Sequence, residues 1–258
     1  MTDTDLLYER RGPTAVITFN RPQARNAMTF AMYEDLHRRC GEADEDDGVR
    51  VLVLRGAGGR AFVAGTDIRQ FREFRTPSDG VAYEERIDRI VGRVELVGKP
   101  TIALVEGYAV GAGLAIAAAC DLRVCTPDAQ FGMPIARTLG NCLSMENYAR
   151  LVSLIGPART KELIFTARMA SAQEALDAGL ATEMVPAAEI EDRVAELSEL
   201  LARHAPITLR ATKEAIRRIR EAGLPSGEDL ILEAYGSDDF REGVATFLEK
   251  RTPVWTGS

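Results

Sequence analysis

Histidine is nearly absent from the chain: 258 residues contain two, His37 and His204. Cysteine is sparse as well, with Cys40, Cys120, Cys125 and Cys142 scattered without a Cys-x-x-Cys spacing. That set suggests neither zinc ligation nor a disulfide framework, and reads as buried or inert thiols in a reducing compartment. An excess of positive charge is also missing. The formal charge of −7 argues against a nucleic-acid or anionic-membrane surface, either of which needs a basic face. The longest apolar run, Tyr108 to Cys120, is too short to cross a bilayer. The opening "MTDTDLLYERRG" is acidic and polar where a secretory leader would be basic and then apolar. The expectation is a cytoplasmic protein whose partner is a small molecule or another protein.

Several well-known motifs are missing too. No GKS or GKT phosphate loop exists, and no G-x-S-x-G nucleophile elbow. Gly111 and Gly113 are followed by Ile116 where a dinucleotide fingerprint requires a third glycine or alanine.

What is present fits one large globular domain, or a domain with a small appendage, at 46% hydrophobic and 28% charged residues. The β-branched run "TAVITFNRP" (14–22) reads as a strand broken at Pro22, and "RVLVLRGAGG" (50–59) as a second strand stopped by glycine. Between them Met32, Leu36 and Cys40 recur at helical spacing within 29–43. "TIALVEG" (101–107) and "LRVCT" (122–126) are further strands, and the alternation points to an α/β architecture with crossovers. Beyond Leu143 the pattern turns helical: 148–155, 157–166, 171–178, 187–202 and 207–222. Ser171 with Glu174 forms a capping box, and Gly179 is a plausible stop.

The stretch "GYAVGAGLAIAAACD" (107–121) is small and apolar, with no acid, base or nucleophile before Asp121. Tight packing of a buried helix explains it without chemistry. A second reading is that bare positions 111–113 open a helix N-terminus, whose unpaired N–H groups attract an anion, to a ligand's carbonyl oxygen. "GGRAFVAGTDI" (58–68) likewise presents backbone: Phe62-Val63 reads as a short strand and 64–66 as the turn after it. Two backbone donors from separate turns would form an oxyanion hole, worth roughly 3 to 4 kcal/mol per donor.

Five segments stand in the order and spacing of the crotonase superfamily: "NRPQARNAM" (20–28), "AFVAGTDI" (61–68), "GYAVGAGLAIAAACD", "SAQEALDAGLATEMVP" (171–186) and "FLEKRTPVW" (247–255). Over essentially its whole length the chain resembles an enoyl-CoA hydratase/isomerase. The resemblance implies a spiral core of repeated β-β-α units over residues 1–200 and a helical C-terminal region over 201–258 that supports trimers, often paired into hexamers. It implies an acyl-CoA substrate, with coenzyme A as part of that substrate and no permanently bound cofactor or metal. By motif position the thioester oxygen would sit between the amides of Thr66 and Ala112. Arg25, Ala27, Ala64, Asp67 and Ile68 would lie along the coenzyme A moiety, chiefly through backbone for Ala27, Ala64 and Ile68. Arg25 either contacts a phosphate or is a solvated surface arginine. Phe247 and Lys250 match positions that cover the adenine end.

The resemblance breaks at both hydratase glutamates. The first would stand three residues beyond Ala112, where this chain has Ala115; the second would follow the proline of "FGMPIA" (131–136), where it has Ile135. Neither side chain can move a proton, so two-glutamate hydration is not expected here. Glu146 is the sole acid in "RTLGNCLSMEN" (137–147) and the candidate acid or base, unless it is a first-turn helix acid after Ser144 as cap. Cys142 lacks a nearby histidine to activate it. Asp67, Glu106 and Asp121 read as turn or structural residues.

Overall fold

The computed structural model describes residues 5–257, so Met1–Thr4 of the acidic opening lie outside the described residues. β1 (Leu6–Arg11) and β2 (Thr14–Phe19) pair antiparallel about Gly12, and a 3-10 turn over Pro22–Ala24 follows. α1 (Phe30–Glu45) starts where the Thr29 side chain accepts a hydrogen bond from the Met32 amide at 3.2 Å. Its stripe of Met32, Leu36 and Cys40 is buried, as the spacing predicts.

Three similar turns of chain come next. β3 (Val51–Gly56) and β4 (Ala61–Ala64) lead to α2 (Pro77–Leu96). β5 (Thr101–Val105) and β6 (Tyr108–Val110) lead to α3 (Ala112–Ala119). β7 (Leu122–Cys125) and β8 (Gln130–Gly132) lead to the short α4 (Ile135–Thr138) and the long α5 (Met145–Phe165). α5 is broken at Gly156, whose φ of 74° is non-helical, so its two segments correspond to the two helices expected over 148–155 and 157–166. β9 (Met169–Ser171), α6 (Ala172–Asp177) with its Ser171–Glu174 capping box, β10 (Glu183–Met184) and α7 (Ile190–Ala202) complete the spiral. α8 (Pro206–Glu221), α9 (Glu228–Gly236) and α10 (Asp238–Glu249) follow. The expected division at residue 200 falls in the last turn of α7, and α9 packs along α2.

The first strand of each turn joins a six-stranded sheet ordered β1-β2-β3-β5-β7-β10, and the second a four-stranded sheet ordered β4-β6-β8-β9. Among the three repeated turns the pairings are parallel, whereas β9 closes the smaller sheet antiparallel to β8. Side chains alternate accordingly. Leu52 and Leu54 face the main core, whereas Val51 and Val53 face a second apolar cluster formed with Ile190, Val194 and Leu197 of α7. Because β4, β6 and β8 run parallel, their carboxyl ends share one edge, and the three loops leaving them meet there. No helix among the described residues is long and apolar enough to cross a membrane.

Candidate active site

The loops after β4 and β6 touch through glycine. Gly65 has φ of +94° and Gly111 φ of +57°, both left-handed, and a β-carbon on Gly111 would come within 3.6 Å of the Gly65 Cα. At the second residue of α3, a β-carbon on Gly113 would stand 1.9 Å from the Val63 carbonyl oxygen, so α3 lies directly on β4 only because that side chain is missing. Apart from Ala112, the alanines of 107–121 are buried around it, and the packing reading of this segment therefore holds for most of its length.

The two turn amides are placed differently from their neighbours. Met28 and Thr66 form an isolated parallel bridge in which the Met28 N–H donates to Gly65 O at 2.9 Å and the Asp67 N–H to Met28 O at 2.8 Å. Those bonds flank Thr66, so its own N–H points away from Met28. Ala112 is the first residue of α3, where an amide has no intrahelical partner. The N–H of Gly111 donates to Gly132 O and that of Ala115 to Gly111 O. Among the described residues, neither the Thr66 nor the Ala112 amide meets an acceptor.

Both residues border a cleft of about 440 Å³. Arg25, Ala27, Ala64, Asp67, Ile68 and Phe247 line it as well, so the structure brings together all the sequence-predicted site residues except Glu146 and Lys250. Lys250 instead ends α10 in a left-handed conformation, φ 58°. Ala115 and Ile135, where the resemblance implies glutamates, line the cleft beside Met133 and Leu139.

The cleft's first loop is tied down by Asn26, a buried residue whose Oδ1 accepts from the Arg21 amide at 2.9 Å. Its Nδ2 donates to the carbonyls of Ala57 and Ala61 at 3.0 and 2.7 Å. Arg25, next to it, holds its guanidinium 5.4 Å over the Tyr108 ring. Asp67 accepts from the Arg69 amide and from the guanidinium groups of Arg69 and Arg21. The Arg69 hydrogen bonds dominate in holding its carboxyl down at about 2, so Asp67 stays a turn-fixing anion. The Thr66 hydroxyl sits between the Tyr33 and Tyr83 hydroxyls, 2.7 Å from each.

Glu146 does not reach the cleft. It occupies the first turn of α5, and because a helix advances about 100° per residue, Asn147 lines the cleft while Glu146 faces α8. Its Oε2 lies 3.6 Å from the guanidinium nitrogens of both Arg150 and Arg220. Burial pushes the Cys142 thiol up to about 12, which leaves it protonated. Asp121 accepts from Thr101 N–H at 2.7 Å and from Lys213 Nζ at 2.7 Å, the structural role its position suggested. Glu106 pairs with Arg55 at 3.7 Å.

The acid that lines the cleft besides Asp67 is Glu84, on α2, with 3% exposure. Its Oε1 accepts from the Tyr235 hydroxyl at 2.6 Å and its Oε2 from the Ser144 amide at 3.1 Å. Burial pushes its carboxyl up to about 7; the Tyr235 and Ser144 hydrogen bonds act against that shift, and the nearby Asp88 charge adds to it. The signal in the sequence is positional. Gly80, Tyr83, Ile87, Ile90, Val91 and Val94 form the buried stripe of α2, and Glu84 is a charged residue in register with it.

A family described as enoyl-CoA hydratase/isomerase matches residues 9–258. The short-chain-enoyl-CoA hydratase of Clostridium acetobutylicum is 34% identical over 251 residues, covering 96% of this chain and 95% of that protein. The 2,3-dehydroadipyl-CoA hydratase of Escherichia coli is 31% identical over 258 residues, 98% of this chain and 99% of that protein. Among solved structures, a methylmalonyl-CoA decarboxylase in complex with 2-nitronate-propionyl-CoA superposes with a TM-score of 0.90 at 27% identity, over 99% of each chain.

Proposed function

The chain belongs to the enoyl-CoA hydratase/isomerase family, and from that premise we propose that it binds an acyl-CoA thioester in the cleft and stabilises the thioester enolate at the amides of Thr66 and Ala112. The observation that carries this reading is the pair of amides without acceptors, set in two touching glycine turns at the edge of an apolar cleft. Donors fixed in the backbone need no reorganisation as charge develops on the oxygen, and each contributes roughly 3 to 4 kcal/mol. Arg25 and Arg69 at the mouth give the coenzyme A phosphates two guanidinium partners, and Ala27, Ala64 and Ile68 let the backbone approach. Phe247, from α10, covers the far end, with Lys250 beyond it.

Water addition needs one group to activate the water and another to protonate the acyl chain. Ala115 and Ile135 supply neither. A reaction that only moves a proton along the acyl chain, such as double-bond isomerisation, asks for a single acid or base and fits what the cleft contains. A second reading, loss of carbon dioxide from a carboxyacyl-CoA, is favoured by the 0.90 TM-score to the decarboxylase and by the apolar floor, which disfavours a bound carboxylate. Incubation with 3-enoyl-CoA, crotonyl-CoA and methylmalonyl-CoA separates the outcomes. Conjugation of the 3-enoyl substrate without hydration of crotonyl-CoA supports isomerisation, and carbon dioxide release supports the second reading. Binding of CoA thioesters with no turnover of any kind would mean a non-catalytic acyl-CoA-binding protein, and fast crotonyl-CoA hydration would overturn the argument from Ala115 and Ile135.

A further inference from the structure

We infer that Glu84 carries the proton in this cleft, taking it from the carbon beside the thioester and returning it to the acyl chain; the inference rests on the enolate reading of the same site. Two carboxylates line the cleft, Asp67 and Glu84. Asp67 is pinned by two guanidinium groups and held strongly acidic, which makes it a poor base. Glu84 has the opposite surroundings. The titratable groups that face it are Tyr83 and Asp88 on its own helix, Tyr33 from α1, Tyr235 from α9, Cys142 from the loop before α5 and Tyr148 from its first turn. All are acids, and none is a cation that would fix Glu84 as a permanent anion.

Its position is set by three other elements. The Ser144 amide at the start of α5 holds one oxygen and the Tyr235 hydroxyl holds the other. Asn141 Nδ2 donates to that hydroxyl at 3.1 Å, so the tyrosine's own proton is directed to Glu84. Tyr235 can lie there because residue 80 is glycine: a β-carbon at that position would stand 2.2 Å from the ring's Cγ. Each carboxylate oxygen still has a free lone pair for the substrate's proton. A carboxyl balanced near neutral pH suits a group that must both take and give a proton.

The step balances with no further reactant. The Glu84 carboxylate removes a proton from the α-carbon, and the C–H electron pair becomes the enolate double bond as charge moves to the thioester oxygen. Neutral Glu84 then returns a proton, either to the α-carbon, which is exchange once the carboxyl has traded its proton with a deuteron from solvent, or to the γ-carbon of a β,γ-unsaturated acyl group, which shifts the double bond into conjugation. In both cases Glu84 ends ionised.

Exchange with solvent deuterium tests this directly. Full-length protein is incubated with butyryl-CoA in D2O, label at the α-carbon is followed by mass spectrometry, and butyryl-CoA binding is measured by calorimetry. Glu84→Gln is expected to bind normally and to lose exchange by roughly 100-fold or more. Tyr235→Phe is expected to keep exchange but to move the midpoint of its rise with pH upward, because the ionised carboxylate loses a donor. Exchange at the wild-type rate in Glu84→Gln overturns the inference, as does wild-type protein that binds but never exchanges; both leave the cleft reading intact. Wild-type protein that fails to bind butyryl-CoA overturns the cleft reading itself. Should Glu84→Gln not fold, the Tyr235→Phe midpoint decides: an upward move supports the role and an unchanged midpoint overturns it.

Discussion

Replacing Glu84 with glutamine stabilises the protein, and the gain grows with pH. The Glu84 carboxyl, ordinarily at 4.5, is raised to about 7 in the fold. A raised carboxyl binds its proton more tightly when folded, so the native state is favoured below the unfolded value and loses that advantage as pH rises toward the folded one. A shift of roughly 2.5 units at about 1.36 kcal/mol per unit amounts to about 3 kcal/mol, lost between about pH 4.5 and about pH 7. Glutamine keeps the size and carries no such term. For a chain of this length about 3 kcal/mol corresponds to a melting shift of roughly 6 to 10 °C. Melting of both proteins at about pH 5 and about pH 8 measures it, and the gap between glutamine variant and wild type should widen by most of that amount. Asp88, also pushed up by burial, to about 6, acts in the same direction. Equal gaps at both pH values would refute the claim that Glu84 is buried without a compensating cation.

Gly113→Ala forces a β-carbon against the Val63 carbonyl and costs about 3 kcal/mol, seen as a lower melting temperature in the absence of ligand. Restoring both carboxylates, Ala115→Glu with Ile135→Glu, raises crotonyl-CoA hydration at least about 100-fold above wild type; no gain would mean the floor cannot position them. Cys142→Ser leaves turnover unchanged, and the wild-type thiol resists iodoacetamide near neutral pH, since burial keeps it protonated. The apolar side chains of Ile216 and Ile219 on α8 are 64% and 76% exposed, and we propose that this face joins copies of the chain: light scattering is expected to give the mass of a trimer or hexamer for the wild type and of one chain once both are changed to aspartate.

The two turns that border the cleft were legible in their glycines, since Gly65 and Gly111 take left-handed backbone and Gly113 admits a close helix–strand contact. Choosing Thr66 and Ala112 within them, and reading Ala115 and Ile135 as places where glutamates are missing, came from the resemblance and not from the spacing. Glu84 was missed: its register with the apolar stripe of α2 sets it apart from Glu85, but register alone marks burial and not a place in the cleft. Its meaning comes from Tyr235, 151 positions away, and from the Ser144 amide. Glu146 drew attention as the sole acid of its loop, but a helix turn of one residue sends it toward Arg220. Spacing along the chain resolves strands and caps; it does not resolve which side of a newly started helix faces a cavity.

The three loops that leave β4, β6 and β8 divide the work unequally. The first two contribute main-chain amides, which almost any substitution other than proline leaves in place, whereas the third contributes side chains that one codon change can replace. On the proposed reading, thioester capture is thus shielded from mutation while the reacting group is open to it. A lineage built on this spiral can trade one reaction for another without first losing its grip on the substrate, and a carboxylate arriving from α2 rather than from the third loop is the form such a trade would take.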